Sequence, residues 1–224
     1  MKRLGQEYPL VTALGLSNLV SAGLFVTGAV FYDAEKYWYL NWNLLLAGAA
    51  PLLAIWLVRY LKTHSWLAWQ SALLTVIWLG FLPNSFYIVS DFIHLQSDGI
   101  VNPLFIVVML MSFSLNGLIF GFMSVYIIHK KLVEHLTARI AHYLVAAVLL
   151  LCSFAIYLGR YLRWNTWDVL VNPAGLLFDV SDRVLINPSA HPQTFVTTAI
   201  FFALLGSSYI VIWQAVKYLK TAKG

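Results

Sequence analysis

Asp91 and His94 stand three residues apart in the run FLPNSFYIVSDFIHLQSDG, residues 81–99. On a helix that spacing puts both side chains on one face. A carboxylate beside an imidazole orients the ring as a general base or as a metal ligand. Tyr87 lies four residues before Asp91 and Ser90 four before His94, so each joins that face. Asn84, directly after Pro83, is placed to cap a short helix reaching about Leu95, and Asp98 follows in the loop. A second group occupies LGRYLRWNTWD, residues 158–168. Arg160, Arg163, Trp164 and Trp167 fall at i, i+3, i+4 and i+7, one helical face of two guanidiniums and two indoles. Arginine suits bidentate binding of phosphate or carboxylate. Asn165 and Asp168 sit on the adjoining surface as supporting residues. A third element is NPSAHPQT, in which His191 precedes Pro192 and offers a second imidazole.

These residues sit in a chain built for lipid. Of 224 residues, 61% are hydrophobic and only 10% charged, with a mean hydropathy of +0.78. A water-soluble domain of this size needs more charge to cover its surface. Apolar stretches approach or exceed the roughly 20 residues that cross a bilayer. The expected fold is an all-α polytopic transmembrane helix bundle forming one integral membrane domain over residues 1–224. Six spans are expected, at about 10–31, 43–61, 66–82, 103–128, 140–161 and 192–218. Pro83 is expected to end the third span, and Asn102-Pro103 to start the fourth. The run from Leu10 is too long for a signal-peptide core and lacks a clear cleavage site, so it reads as the first span.

Lys and Arg set the orientation. With the N-terminus in the cytoplasm, the inner side holds Lys2, Arg3, Arg59, Lys62, Lys130, Lys131, Arg139, Lys217, Lys220 and Lys223, and the outer side only Lys36, Arg160, Arg163 and Arg183. Both termini are therefore expected in the cytoplasm, in a multi-pass protein of the cell membrane. The three polar elements then share the outer face. There, residues 173–186 read as a short amphipathic helix lying at the interface. The net charge of +5 has no basic run behind it and does not suggest nucleic acid, so no nucleic-acid partner is expected. Cys152 lies in an apolar stretch and reads as a structural thiol. His64, His129, His135 and His142 flank basic inner loops and read as solvated. Gly117 and Gly121 suit close helix packing.

Polar groups near hydrocarbon are costly and need a reason. One reading is a site at the outer headgroup level that binds or acts on anionic lipid headgroups. Asp91, His94 and His191 would be its catalytic groups, Arg160, Arg163, Trp164 and Trp167 its headgroup-binding groups, and Asn84, Tyr87, Asn165 and Asp168 their support. No nucleophile stands out among Ser85, Tyr87 and Ser90. A divalent metal at the site is a minority option, because one Asp-x-x-His plus a distant His is a weak ligand pattern. The alternative reading is a structural or accessory subunit whose outer loops dock a membrane-protein partner, the polar cluster ordering those loops. A small transporter is disfavoured, since the span centres carry few polar residues and no acidic ones. Whether the protein is an enzyme stays open at this point.

The string Pro-Asn-x-x-Tyr-x-x-x-Asp-x-x-His, followed by YLGRYLRWNTWD and a His-Pro before the last span, resembles the bacterial multi-pass membrane proteins grouped as domain of unknown function 1361. The resemblance runs from roughly residue 40 to 217. A usual form of the string has Thr before the Asp; here Ser90 keeps the hydroxyl. The resemblance implies a bacterial integral membrane protein and brings no activity with it.

Overall fold

The computed structural model describes residues 4–96 and 102–222, with the side chains of residues 4–8 and Gln96 outside the description. Asp98, Lys2, Arg3 and Lys223 lie outside these residues. The described chain forms long helices α1 (Leu4–Phe31), α2 (Tyr39–Tyr60), α3 (Trp69–Tyr87), α4 (Pro103–Val133) and α5 (Ala138–Tyr161). Short helices α6 (Asp168–Val171) and α7 (Pro173–Ser181) follow, and α8 (Pro192–Thr221) closes the chain. Six segments are long and apolar enough to cross a membrane. The fold is an all-α bundle of the expected kind. The connections between α1 and α2, α3 and α4, and α5 and α8 share one face, here called the elaborated face. The opposite, plain face has only the short turns after α2 and α4.

Asn102 accepts from the Phe105 amide and Pro103 takes the first helical position, so α4 starts as its sequence dictates. Thr137 caps α5 in the same way. The prolines behave differently from the expectation at Pro83. Helix α3 runs through Pro83 to Tyr87. A proline removes a helical N–H and leaves carbonyls in the preceding turn in need of donors. Here the Thr166 hydroxyl donates to the Gly80 carbonyl at 3.2 Å and the Asn84 amide to the Phe81 carbonyl at 3.1 Å. Asn84 also donates to Thr166 Oγ1 at 3.1 Å, so it is a bracket inside the helix rather than a cap. Pro51 in α2 is handled alike. The Ala47 carbonyl, which Pro51 cannot serve, accepts from Ser85 at 3.1 Å. Ser124 donates to the Ala50 carbonyl at 3.0 Å and accepts from the Trp78 indole at 2.7 Å.

The main core joins α2, α3, α4, α5 and α8 around Trp78, Leu82, Phe86, Phe122 and Ile156. A second cluster, with Tyr37, Leu40, Ile88, Met109 and Phe113, lies toward the elaborated face. Gly117 and Gly121 are where α4 meets α3 most closely. A Cβ at Gly117 would lie 2.6 Å from the Ser85 carbonyl, and one at Gly121 would lie 2.5 Å from the Phe86 ring. Helix α1 is pinned to α4 by polar bonds, as lipid-embedded helices often are. Ser21 Oγ lies 2.6 Å from Ser112 Oγ, and Asn116 donates to Ser21 Oγ at 2.9 Å. Asn116, near the middle of α4, is thus an interhelical clamp.

Candidate functional site

Beyond Tyr87 the chain tightens into a 3-10 helix, Ile88–Gln96. Nine residues is long for this form, and such stretches often mark strain or function. With three residues per turn, Ile88, Asp91 and His94 stack above one another. Ile88 and Asp91 are fully buried. Asp91 and His94 therefore share a face as expected, through a tighter helix than the spacing suggested.

Arg160, in the last turn of α5, organises this segment. Its Nη2 donates to Asp91 Oδ1 at 2.5 Å and to Ser90 Oγ at 2.6 Å, and its Nε donates to Ser90 at 3.0 Å. The Ser90 hydroxyl in turn donates to the Tyr87 carbonyl at 2.6 Å. The Ser90 hydroxyl thus both accepts and donates, which a Thr hydroxyl does equally. Arg160 Nη1 also lies 3.2 Å from His94 Nε2. Arginine has no acceptor, so this contact requires an unprotonated Nε2. The guanidinium sits 4.5 Å from the Tyr87 ring centroid, a cation–π contact. Gly159 makes that possible: a Cβ there would lie 2.9 Å from the Tyr87 ring. The Arg160 and Asp91 side chains are only 13% and 1% exposed, so this is a buried ion pair. Tyr39 packs edge-on to His94, and among the described residues Asp91 Oδ2 is buried with no hydrogen-bond partner.

The group opens onto a cavity of about 650 Å³. Asn43, Asn84, Asp91, His94, Arg160 and Arg163 line its polar end, with Leu46, Leu79, Leu151 and Leu158 lining the rest. Trp164, Asn165 and Trp167 complete the wall toward the elaborated face. From Arg160 to Leu151 is nine residues of α5, about 13 Å along the helix axis. The cavity is therefore polar at one end and apolar at the other.

Two sequence expectations change here. The Arg160/Arg163/Trp164/Trp167 helical face does not form, because α5 ends at Tyr161. Arg163 takes a positive φ of 60°, the left-handed conformation in which helices commonly terminate. The Trp164 amide then turns back to the Leu158 carbonyl at 3.2 Å. The four residues still gather around one cavity, Arg160 from the last turn of α5 and the other three carried there by the loop that follows. Trp164 donates from its indole to Asp179 Oδ2 at 2.8 Å, tying the loop to α7. Asp168 accepts from the Asn165 amide at 2.6 Å and closes the same loop without lining the cavity.

His191 is the second change. It lies against Asp182 Oδ2 at 3.0 Å and does not line the cavity. Helix α7 starts on its Asn172 cap and Pro173, as the amphipathic pattern implies, and ends in a π turn, Asp182–Ile186. Among the described residues no three His, Cys, Asp or Glu side chains come together to hold a metal. Asp91 is taken up by Arg160, and His191 by Asp182. The residues present do not assemble the ligand set of the metal option.

The Asp182 carboxylate is held below the ordinary aspartate range, first by the Asn187 side chain donating at 2.6 Å, then by His191 and Arg183. A depressed folded value means the contact stabilises the turn fully above the unfolded aspartate value, about 3.9. That contribution is lost as pH falls from there through the lower folded value. The Asn187 side-chain amide resonances are expected to move as pH falls below about 4, where Asp182 takes up its proton. Asp182→Asn should give the acid-form spectrum at neutral pH.

Sequence reasoning missed Asn43, Tyr39 and Thr166 at this site. Asn43 carried a signal, a polar amide at the start of an apolar span. Thr166 carried none. His129 was read as solvated and is instead 1% exposed, facing α8.

The six long apolar helices define a multi-pass integral membrane protein. Residues 42–207 match the family model described as Protein of unknown function (DUF1361), and the chain belongs to that family. No curated protein and no solved structure matches it. The matched stretch contains the 3-10 helix, Arg160 and the Arg163–Trp167 loop; Tyr39 and α1 fall before it.

Proposed function

We propose that the cavity binds the anionic headgroup of a bilayer amphiphile at the extracytoplasmic face of the cell membrane. The observation that carries this reading is the charge balance of the polar end. Asp91 neutralises Arg160, His94 Nε2 is held unprotonated, and Arg163 forms no ion pair among the described residues. The cavity mouth therefore carries one uncompensated positive charge above an apolar channel. A phosphate-bearing headgroup meets Arg163 there, with Trp164 and Trp167 at interfacial depth. The volume falls within the range of small-ligand pockets, about 300–1,000 Å³. Exposed apolar side chains on the neighbouring segment, Leu170, Leu177, Phe178 and Leu185, suit a strap lying in the headgroup layer.

Native mass spectrometry of the detergent-purified protein tests this. Phosphatidylglycerol should remain bound more strongly than phosphatidylcholine, and Arg163→Gln should reduce that preference about tenfold, the 1.4 kcal/mol that an exposed-end charged contact supplies. Equal retention of both lipids by both proteins would remove the reading.

One observation favours a second reading, that of a structural subunit whose elaborated face docks a partner. Arg160 is fully occupied by Ser90, Asp91 and His94, so the network ties the 3-10 helix to α5 whatever the cavity holds.

A further inference from the structure

A second cavity, of about 280 Å³, opens on the other half of the bundle between α5 and α8, with His129 of α4 as its floor. Its walls include Tyr143, Leu149, Phe202, Gly206 and Trp213, and among the described residues no Asp, Glu, Lys or Arg lines it. Tyr143 and Ile210 at the rim are 70% and 62% exposed, so the mouth faces the lipid side of the helices. One buried polar atom inside has no partner: His129 Nε2. His129 is held firmly, its Nδ1 2.8 Å from the Tyr209 hydroxyl and its ring stacked on Trp213 at 3.8 Å. His142 stands edge-on to it at 4.7 Å, its own Nδ1 bonded to the Ala138 carbonyl.

We propose that this cleft binds the ring headgroup of an uncharged, membrane-soluble amphiphile of the naphthoquinone class, with a ring oxygen on His129 Nε2. The argument is one of size, polarity and hydrogen-bond sense. A cavity of about 150 Å³ holds a single benzene ring, so this one takes two fused rings. The absence of ionised side chains from its lining disfavours a charged ligand, because a charge brought in would lack a partner. The apolar walls and aromatic floor suit a flat ring. When Tyr209 donates to Nδ1, Nε2 carries the proton and meets a carbonyl. When Tyr209 accepts, Nε2 meets a hydroxyl. The same atom thus serves the quinone and the quinol form.

Menadione is the probe, titrated calorimetrically into the full-length protein in phosphatidylcholine nanodiscs, with empty nanodiscs as the reference. One saturable site per chain is expected. Gly206→Leu fills the cavity, since only Phe202 lies within 4.0 Å of a Cβ there, and His129→Leu removes the polar anchor. Each should weaken binding at least tenfold, with the thermal unfolding of Gly206→Leu unchanged. Uptake equal to that of empty nanodiscs, or equal affinity in wild type and Gly206→Leu, would overturn the proposal. So would a lipid acyl chain that occupies the cleft and is not displaced by menadione. If His129→Leu fails to fold, Gly206→Leu decides alone.

Discussion

Asp91→Ala is expected to destabilise the folded bundle by about 3–5 kcal/mol, the largest single effect at the site. The cause is the partner left behind. Arg160 is 87% buried, and without Asp91 its charge would be left with only neutral partners, the Ser90 hydroxyl, the Tyr87 ring and the unprotonated His94 nitrogen. Removing one member of a buried pair leaves that charge uncompensated, whereas replacing both by apolar groups of similar volume is often close to neutral. Asp91→Leu with Arg160→Met should therefore recover most of the loss. Unfolding in mixed micelles with increasing dodecyl sulfate, followed by tryptophan fluorescence, measures both. A single variant as stable as wild type would mean that water or lipid already solvates Arg160.

Gly117→Val carries the second large effect. Its Cβ would meet the Ser85 carbonyl at 2.6 Å and Ile88 Cδ1 at 3.0 Å. Both contacts belong to the junction where α3 passes into the 3-10 helix, and a backbone carbonyl cannot rotate away as a side chain can. Overpacking of this kind costs about 1–3 kcal/mol. It should also displace Asp91, which lies one 3-10 turn beyond Ile88. The expected result is a less stable protein that has also lost its preference for anionic lipid. Gly15→Val is the control. Among the described residues nothing lies within 4 Å of a Cβ at Gly15, so its effect should stay within about 0.5 kcal/mol.

The spans were legible because hydrocarbon allows so few solutions: about 20 apolar residues in helical form. The convergence of Asp91, His94 and Arg160 was half legible. Their types and their common face could be read, but not that Arg160 would bridge the other two. Three features resisted reading, each for a physical reason. Pro83 looked like a terminator, and α3 continues because donors from Thr166 and Asn84 serve the carbonyls of the preceding turn; one of those donors lies more than eighty residues away in sequence. The fifth span's end near 161 was legible, but the turn that breaks the Arg160–Trp167 face was hidden because Arg163, not a glycine, takes the left-handed conformation. His129 was misread because Lys130 and Lys131 follow it. Yet Phe122, Val125 and His129 fall at i, i+3 and i+7 and all are buried. Extending the apolar period by one turn would have placed the imidazole inside.

A density map of the protein in nanodiscs containing phosphatidylglycerol tests the headgroup reading most directly. The expected result is a headgroup in the 650 Å³ cavity, its phosphate within hydrogen-bond distance of Arg163 and its chains descending past Leu158 toward Leu151. A cavity that holds only water or the folded-in side chains of Trp164 and Trp167, with lipid confined to the outside of the helices, would contradict it.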